Sequence, residues 1–226
     1  MTQRISDILF SLLAIIVLFP LFVLITILLL FTGENNVFFL QKRIGKDFKI
    51  FKLIKFTTMK KGSPNIGSGT VTVKNDPRIL KFGKFLRFTK INELPQLFNI
   101  LLGDMSLIGP RPLTKQTFDC YSDEVKKIVS QVKPGLSGVG SIIFRAEEEF
   151  INGDEDPLYF YTNVIAPYKG KVEQWFVKNN NLKVYYLSIF ITIIVIFNSQ
   201  SKIAWYCYKG LPKPPSKLKS ILNYPY

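Results

Sequence analysis

From Ile8 to Thr32 the chain carries no charged residue, an apolar run longer than the roughly 20 residues a helix needs to cross a bilayer. Its end, Leu28-Leu29-Leu30-Phe31, is too bulky for a signal-peptide cleavage site, so the segment is expected to remain as an anchor. Pro20 sits at its middle, deletes the hydrogen bond to the Ile16 carbonyl and favours a kink. On this pattern alone the anchor reads as a kinked transmembrane helix. Next, Phe48, Ile50 and Leu53 interleave with Lys49 and Lys52, which predicts a short strand or an interfacial segment. Residues 62–75 are rich in Gly, Ser, Thr and Asn, with Gly67-Ser68-Gly69 as a flexible connector, and read as a mobile loop over a site.

Asp76-Pro77-Arg78 opens a basic amphipathic helix through Lys81, Lys84 and Arg87, with Ile79, Phe82, Phe85 and Leu86 on its apolar face. Leu94, Leu97, Phe98 and Leu101 then recur at helical spacing, predicting a helix from Asn92, as its N-cap, to Gly103, its stop, with Pro95 tolerated in the first turn. A polar helical pattern covers Lys115 to Gln131, and Val184 to Phe197 is apolar but short, a buried or interfacial helix more than a second span. The pattern divides into an anchor at 1–34, a domain at 35–200 and a basic, Pro-containing tail at 201–226 that reads as extended. The fold class expected is α-rich α/β.

Composition narrows the chemistry. Thirty Lys and Arg against sixteen Asp and Glu give a formal charge of +14, which calls for an anionic partner: nucleic acid, a membrane surface or phosphorylated substrates. Lys42, Arg43, Lys46, Lys49, Lys52 and Lys55 follow the anchor closely and favour a cytoplasmic placement beside anionic lipid. The chain contains no histidine, so histidine triads and HExxH zinc sites are excluded, and a general base must be Asp, Glu, Lys or Tyr. Cys120 and Cys207 lack metal-ligand spacing and read as free thiols.

The densest chemistry lies between Arg87 and Pro112. Glu93 follows Asn92, and Arg111 stands between two prolines in Gly109-Pro110-Arg111-Pro112. The prolines hold the backbone in one shape, so the guanidinium loses less entropy when it grips an anion, and a phosphate suits arginine's fork. Arg78 and Arg87 bracket the basic helix and are read either as phosphate contacts or as part of a solvated face, while Arg145, which precedes Glu147, Glu148 and Glu149, reads as a salt-bridged helix start. Amides at Gly138-Val139-Gly140 can hold a diphosphate. Asp154-Glu155-Asp156-Pro157 reads as a surface loop. Tyr159, Tyr161, Tyr168 and Trp175 suit a membrane interface, a uridine stack or core packing.

Several runs occur in order: Gln41-Lys42-Arg43-Ile44-Gly45, Phe48-Lys49-Ile50-Phe51-Lys52, Lys55-Phe56-Thr57-Thr58-Met59, Asn92-Glu93-Leu94-Pro95-Gln96-Leu97, Gly103-Asp104-Met105-Ser106, Gly109-Pro110-Arg111-Pro112 and Lys133-Pro134-Gly135-Leu136-Ser137-Gly138. Together they resemble the bacterial sugar transferase family, the small monotopic phosphoglycosyl transferases, over nearly the whole chain. The resemblance implies an enzyme that moves a sugar-1-phosphate from a nucleotide diphospho-sugar, usually a UDP-sugar, onto a polyprenyl (undecaprenyl) phosphate, starting a surface glycan. It also implies a monotopic protein whose N-terminal helix is re-entrant, with Pro20 at the turn and Arg4 and Asp7 near the lipid headgroups, and a small catalytic domain facing the cytoplasm at the bacterial inner membrane. Arg111, Arg87, Arg78, Arg145 and Arg43 would hold the phosphates, and Glu93 would help bind Mg²⁺. With membrane lipid and phosphorylated substrates accounting for the charge, nucleic acid is not expected as a partner, and a homo-oligomer is left open. The sequence departs from the family at one point: the usual Asp-Glu dyad is Asn92-Glu93, and an amide cannot attack phosphorus as a carboxylate does. Three readings follow: Glu93 as nucleophile, direct attack by the lipid phosphate, or a catalytically silent relative that binds substrates or partners of glycan assembly.

Overall fold

The computed structural model describes residues 2–32, 35–66, 69, 71–145, 147 and 156–225. Helix α1 (Thr2–Thr32) runs on through Pro20 and is long and apolar enough to cross a membrane. Strands β1 (Phe38–Ile44) and β2 (Ile50–Phe56) pair antiparallel, so the ambiguous basic stretch after the anchor resolves into a hairpin. Helix α2 (Lys81–Phe88), a 3-10 turn (Ile91–Glu93) and α3 (Gln96–Leu102) follow. A parallel pair, β3 (Ser106–Ile108) with β4 (Gly135–Ser137), brackets α4 (Lys115–Asp119) and α5 (Asp123–Val129). Then come α6 (Val139–Ile143), α7 (Pro157–Phe160), a π-helical segment (Tyr161–Ile165) and α8 (Ala166–Lys178). Helix α9 (Leu182–Phe197) and the short α10 (Ile203–Cys207) and α11 (Ser216–Lys219) close the chain. This is the α-rich α/β architecture expected from the hydrophobic pattern.

The main core joins Val71, Ile108 and Leu113 to residues from α4 to α11, among them Phe118, Val139, Ile165, Val172, Phe176, Tyr185 and Ile191. Two smaller clusters fasten α1 to the hairpin and to α3. Phe22, Ile25 and Leu29 meet Phe56 and Leu86, while Ala14 and Ile15 meet Leu53, Leu97, Ile100 and Met105. The end of the chain is not an extended appendage: Ala204, Tyr208, Leu218 and Leu222 belong to the main core, and the Trp205 ring meets that of Tyr224 edge-on at 5.0 Å. Lysines and prolines dominate that stretch in sequence, but its few aromatic and aliphatic side chains, spaced to land on one side, decide its path.

Arg78 proves to be a fastener. It is buried, its Nε and Nη2 donate to the Asp76 carboxylate, and Nη1 donates to the Ser63, Ile66 and Gly69 carbonyls at 2.7–2.8 Å, with Nη2 also reaching Val71 O at 3.0 Å. A fork so fully engaged has no donor to turn towards a substrate phosphate, so the expected phosphate role of Arg78 is corrected to a structural one. The same bonds tie down the described part of the stretch expected to be a mobile loop. Gly67-Ser68 of the connector, Glu148-Glu149, and Asp154-Glu155 of the acidic loop lie outside the described residues.

The start of α1 is bonded into the domain. Asp7, 3% exposed, accepts at Oδ1 from Ser106 Oγ (3.0 Å), the Leu107 amide (2.9 Å) and the Tyr185 hydroxyl (2.7 Å). Arg4 donates to the Ile100 and Leu101 carbonyls at the end of α3, a favourable place for a cation beside unsatisfied helix carbonyls. One buried carboxylate thus joins the membrane helix, a strand and α9. Asp7→Ala strands three donors, each costing about 1–3 kcal/mol when buried without an acceptor. The apparent Tm of the detergent-solubilised protein is expected to fall by roughly 5 °C or more, and Asp7→Asn to recover part of it. An unchanged melting curve for Asp7→Ala would refute this role.

Candidate active site

A cavity of about 730 Å³ opens between the hairpin, the Ile91–Glu93 turn, the Pro110–Pro112 turn, α6, the π segment and α9. The hairpin supplies one wall because side chains two apart share a face: Phe39, Gln41 and Arg43 of β1 all line the cavity, and Lys55, the register partner of Phe39, joins them from β2. Lys55 was quoted in a sequence motif but not singled out as a site residue. The alternation Phe39, Gln41, Arg43 is the signal that marks this face.

The helix expected over 92–103 is shorter than its apolar spacing suggests. Lys90 takes a left-handed conformation (φ 60°), residues 91–93 close a separate 3-10 turn, and α3 begins only at Gln96 with Pro95 in the cap position. Pro95 has no amide hydrogen, so no α-helical bond can run back to the Ile91 carbonyl, and that carbonyl is taken by the Leu94 amide in a tighter turn instead. Asn92 is therefore not a cap. Gly103 does stop α3, at φ 93°. Ile91 and Leu94 pack into the small cluster around Phe56 and Leu86, which turns Asn92 and Glu93 towards the cavity.

Glu93 Oε1 accepts from Lys55 Nζ at 2.8 Å and from Arg111 Nη2 at 3.2 Å. Burial alone would raise its pKa, but the charges of Lys55, Arg111 and Lys90 outweigh that and hold the carboxyl well below the usual range. Lys55 is pushed down to about 8, chiefly by burial, with Glu93 opposing and Arg111 and Arg43 adding repulsion. Arg43 falls to about 10 for the same leading reason, aided by Arg111. Its Nη1 donates to the Pro112 carbonyl at 3.1 Å and its Nη2 to Gln41, so it braces the proline-flanked turn. Asn92 is buried, and its Oδ1 has no hydrogen-bond partner.

Arg87 reaches the Thr72 hydroxyl at 3.1 Å. Arg145 is lowered by burial and pulled back by Glu93. The cavity thus collects Arg43, Arg87, Arg111 and Arg145 with Glu93 and Asn92 and leaves Arg78 out. Arg4 and Asp7 lie at the base of α1 and Pro20 farther along it, none of them in the lining.

Packing requires glycine at two positions of the Gly138–Gly140 turn. A Cβ at Gly138 would stand 2.1 Å from the Gly109 carbonyl oxygen, and one at Gly140 would stand 2.2 Å from Glu173 Oε1. Sequence reasoning missed Glu173. It is 1% exposed, burial raises it to about 7, and its Oε1 accepts from the Arg111 amide at 3.2 Å. Also missed was Lys169 as the partner of Glu147; the 22-residue separation leaves no local signal. Of the aromatics, Tyr161 lines the cavity, Tyr159 is exposed, and Tyr168 and Trp175 are spent on Pro212 and Tyr208.

The cavity offers an ionised carboxylate and a set of cations, next to an apolar wall from α1 and α9, an arrangement suited to phosphorylated substrates with an apolar part. Comparison with known proteins leads the same way. The exopolysaccharide production protein ExoY of Sinorhizobium fredii is 32% identical over 163 residues, which cover 66% of this chain and 72% of that protein. The UDP-glucose:undecaprenyl-phosphate glucose-1-phosphate transferase of Klebsiella pneumoniae is 37% identical over 62% of this chain and 30% of its own, longer one. The undecaprenyl-phosphate galactose phosphotransferase of Salmonella typhimurium is 30% identical over 78% of this chain and 36% of its own. Residues 1–199 match the sequence model of the family described as bacterial sugar transferase, and the chain belongs to that family.

Proposed function

We propose that this protein transfers a sugar-1-phosphate from a UDP-sugar to undecaprenyl phosphate, the opening step of a surface polysaccharide. The observation that carries this reading is the single cavity in which Arg43, Arg87, Arg111, Arg145 and Lys55 surround Glu93. Names of the relatives support the substrates: those of Klebsiella pneumoniae and Salmonella typhimurium act on undecaprenyl phosphate.

In the reaction, an oxygen of the lipid phosphate forms a bond to the sugar-linked phosphorus, the diphosphate bond breaks, and UMP leaves. Three phosphate groups must approach one another, and the repulsion between them is the main obstacle that arginines and Lys55 offset. Glu93 holds Lys55 and Arg111 at the meeting point. With Oε1 committed to two cations and its proton affinity lowered, it is a weak nucleophile, and Asn92 has no charge to offer. The reading we favour is therefore direct displacement by the lipid phosphate.

Mg²⁺ fits this donor set in one way. Among the described residues no cluster of three or more metal-ligating side chains exists, and Glu147, the other acid of the lining, is paired with Lys169. A magnesium ion held by one carboxylate, Glu93, together with waters and the substrate diphosphate matches the ion's habit. It would supply charge neutralisation on the diphosphate.

The membrane arrangement we propose is monotopic, with α1 re-entrant, its domain at the cytoplasmic face of the inner membrane. Arg4 and Asp7 at one end of α1, and Ile25 and Leu29 near the other, all touch the same domain. A helix that delivered its N-terminus to the far side could not keep those bonds. In a chain with Cys120 and Cys207 replaced by Ser, Thr2→Cys should react with a membrane-impermeant maleimide only from the cytoplasmic side; labelling from outside intact spheroplasts would refute the arrangement.

Purified protein with Mg²⁺, undecaprenyl phosphate and a panel of UDP-sugars should release UMP, and Glu93→Gln should cut turnover by roughly 100-fold. Intact mass after incubation with UDP-sugar alone should show no phosphosugar adduct; an adduct on Glu93 would overturn direct displacement. UDP-sugar binding without UMP release would instead establish the silent relative that Asn92 suggests. Because Lys55 is protonated below about 8 and neutral above, kcat/KM for the UDP-sugar should fall as pH rises through that value. Lys55→Arg should carry the falling limb to higher pH, and a wild-type profile level across it would refute the role.

A further inference from the structure

The cavity is chemically divided. On one side Phe10, Ala14, Leu136, Ile189, Ile193 and Ile196 bring apolar groups from α1, α9 and the strand end, with the Ser137 and Thr192 hydroxyls among them bonded to each other; on the other stand Ser141, Phe144, Arg145, Glu147, Tyr161 and Lys169. Glu93 and its cations adjoin both. This second side holds two buried polar atoms without a hydrogen bond, Ser141 Oγ and the Tyr161 hydroxyl. Burial raises the pKa of the neighbouring Tyr121, and Tyr161 adds to the rise. Buried polar atoms almost always have partners, and both of these belong to cavity-lining residues.

Lys169 adds no free charge here. It is 1% exposed, ion-paired with Glu147, and its Nζ lies 5.3 Å from the Phe144 ring centre and 5.7 Å from that of Tyr161. A paired cation between two aromatic rings is a poor seat for a further phosphate. It suits an uncharged ligand with hydroxyls around its edge and an aliphatic face, which is the chemistry of a pyranose ring. Tyr161 also opens the π-helical segment. Such an extra residue in a helical turn redirects a side chain and is frequent at functional sites.

We propose that the Ser141–Phe144–Tyr161–Lys169 side of the cavity is the sugar subsite, holding the carbohydrate ring of the nucleotide sugar and determining which sugar is accepted. This rests on the transferase reading above. Ser141 and Tyr161 donate to or accept from ring hydroxyls, Glu147 accepts from another, and Arg145 and Arg111 take the adjoining diphosphate. The opposite, apolar side is left to the prenyl chain.

The test is binding, so it does not depend on turnover. The full chain in detergent is titrated calorimetrically with UDP and with the UDP forms of glucose, galactose, N-acetylglucosamine and N-acetylgalactosamine, as wild type, Ser141→Ala and Tyr161→Phe. Each variant should bind UDP as the wild type does, while affinity for the preferred UDP-sugar drops about tenfold and the spread among the four sugars narrows. Equal weakening of UDP and UDP-sugars would assign this side to the nucleotide and overturn the proposal, as would variants that match wild type throughout. If one variant fails to fold, the other carries the same comparison. A wild type that binds no UDP-sugar would overturn the transferase reading and the subsite together, whereas failure in the variants alone removes only the subsite.

Discussion

The clamp between Glu93, Lys55 and Arg111 is the interaction on which the site depends. Several cations crowd a largely buried space, and without an anion among them they would repel one another and seek solvent. One carboxylate, ionised because of them, keeps Lys55 on the hairpin and Arg111 on the proline-flanked turn pointing at a single place. The cost is visible in the depressed pKa of Lys55 and Arg43, which burial lowers first and the neighbouring cations lower further. A site arranged to be satisfied by itself would not carry that strain; one arranged to receive more negative charge would, because each incoming phosphate relieves it.

Behind this clamp stands backbone packing that tolerates little change. Gly109 and Gly135 approach so closely that a Cβ at Gly135 would lie 2.1 Å from the Gly109 nitrogen, and Gly109 N donates to Ser137 O while Gly135 N donates to Pro110 O. The parallel pair β3–β4 therefore fixes where Pro110 begins, and Glu173 and Arg43 fix the amide of Arg111 and the carbonyl of Pro112. The same β3 receives Asp7 from the membrane helix. The proline-flanked turn and α1 are thus referred to one short strand, so the placement of α1 and the aim of Arg111 are set together.

Legibility in the sequence followed the range of the interactions. The apolar run of α1, the α-rich character, the Gly103 stop and Arg111 between its prolines were readable because each is a local pattern. Arg78 was misread because its burial comes from carbonyls up to 15 residues earlier in the chain, which no helical wheel shows. The start of α3 was misplaced because apolar spacing continues through Leu94 while the hydrogen bonding does not. Glu173 and Lys169 escaped because a charged residue on a helix looks solvated until the neighbouring layer is known. The tail was read from its lysines and prolines, although Tyr208, Leu218 and Leu222, each almost fully buried, govern its place.

Asn92 takes its meaning from this charge balance. Its amide is 5% exposed, beside Glu93 and among the same cations, with Oδ1 unbonded. A second carboxylate there would have offset more of the positive charge before substrate arrived; an amide leaves that excess for the phosphates. It also leaves a neutral acceptor in the lining, able to take a hydrogen bond from a ligand hydroxyl or a metal-bound water without competing for the arginines. With an amide here, the charge of the site is left to gather and neutralise anions, and phosphoryl transfer depends mostly on such positioning and neutralisation.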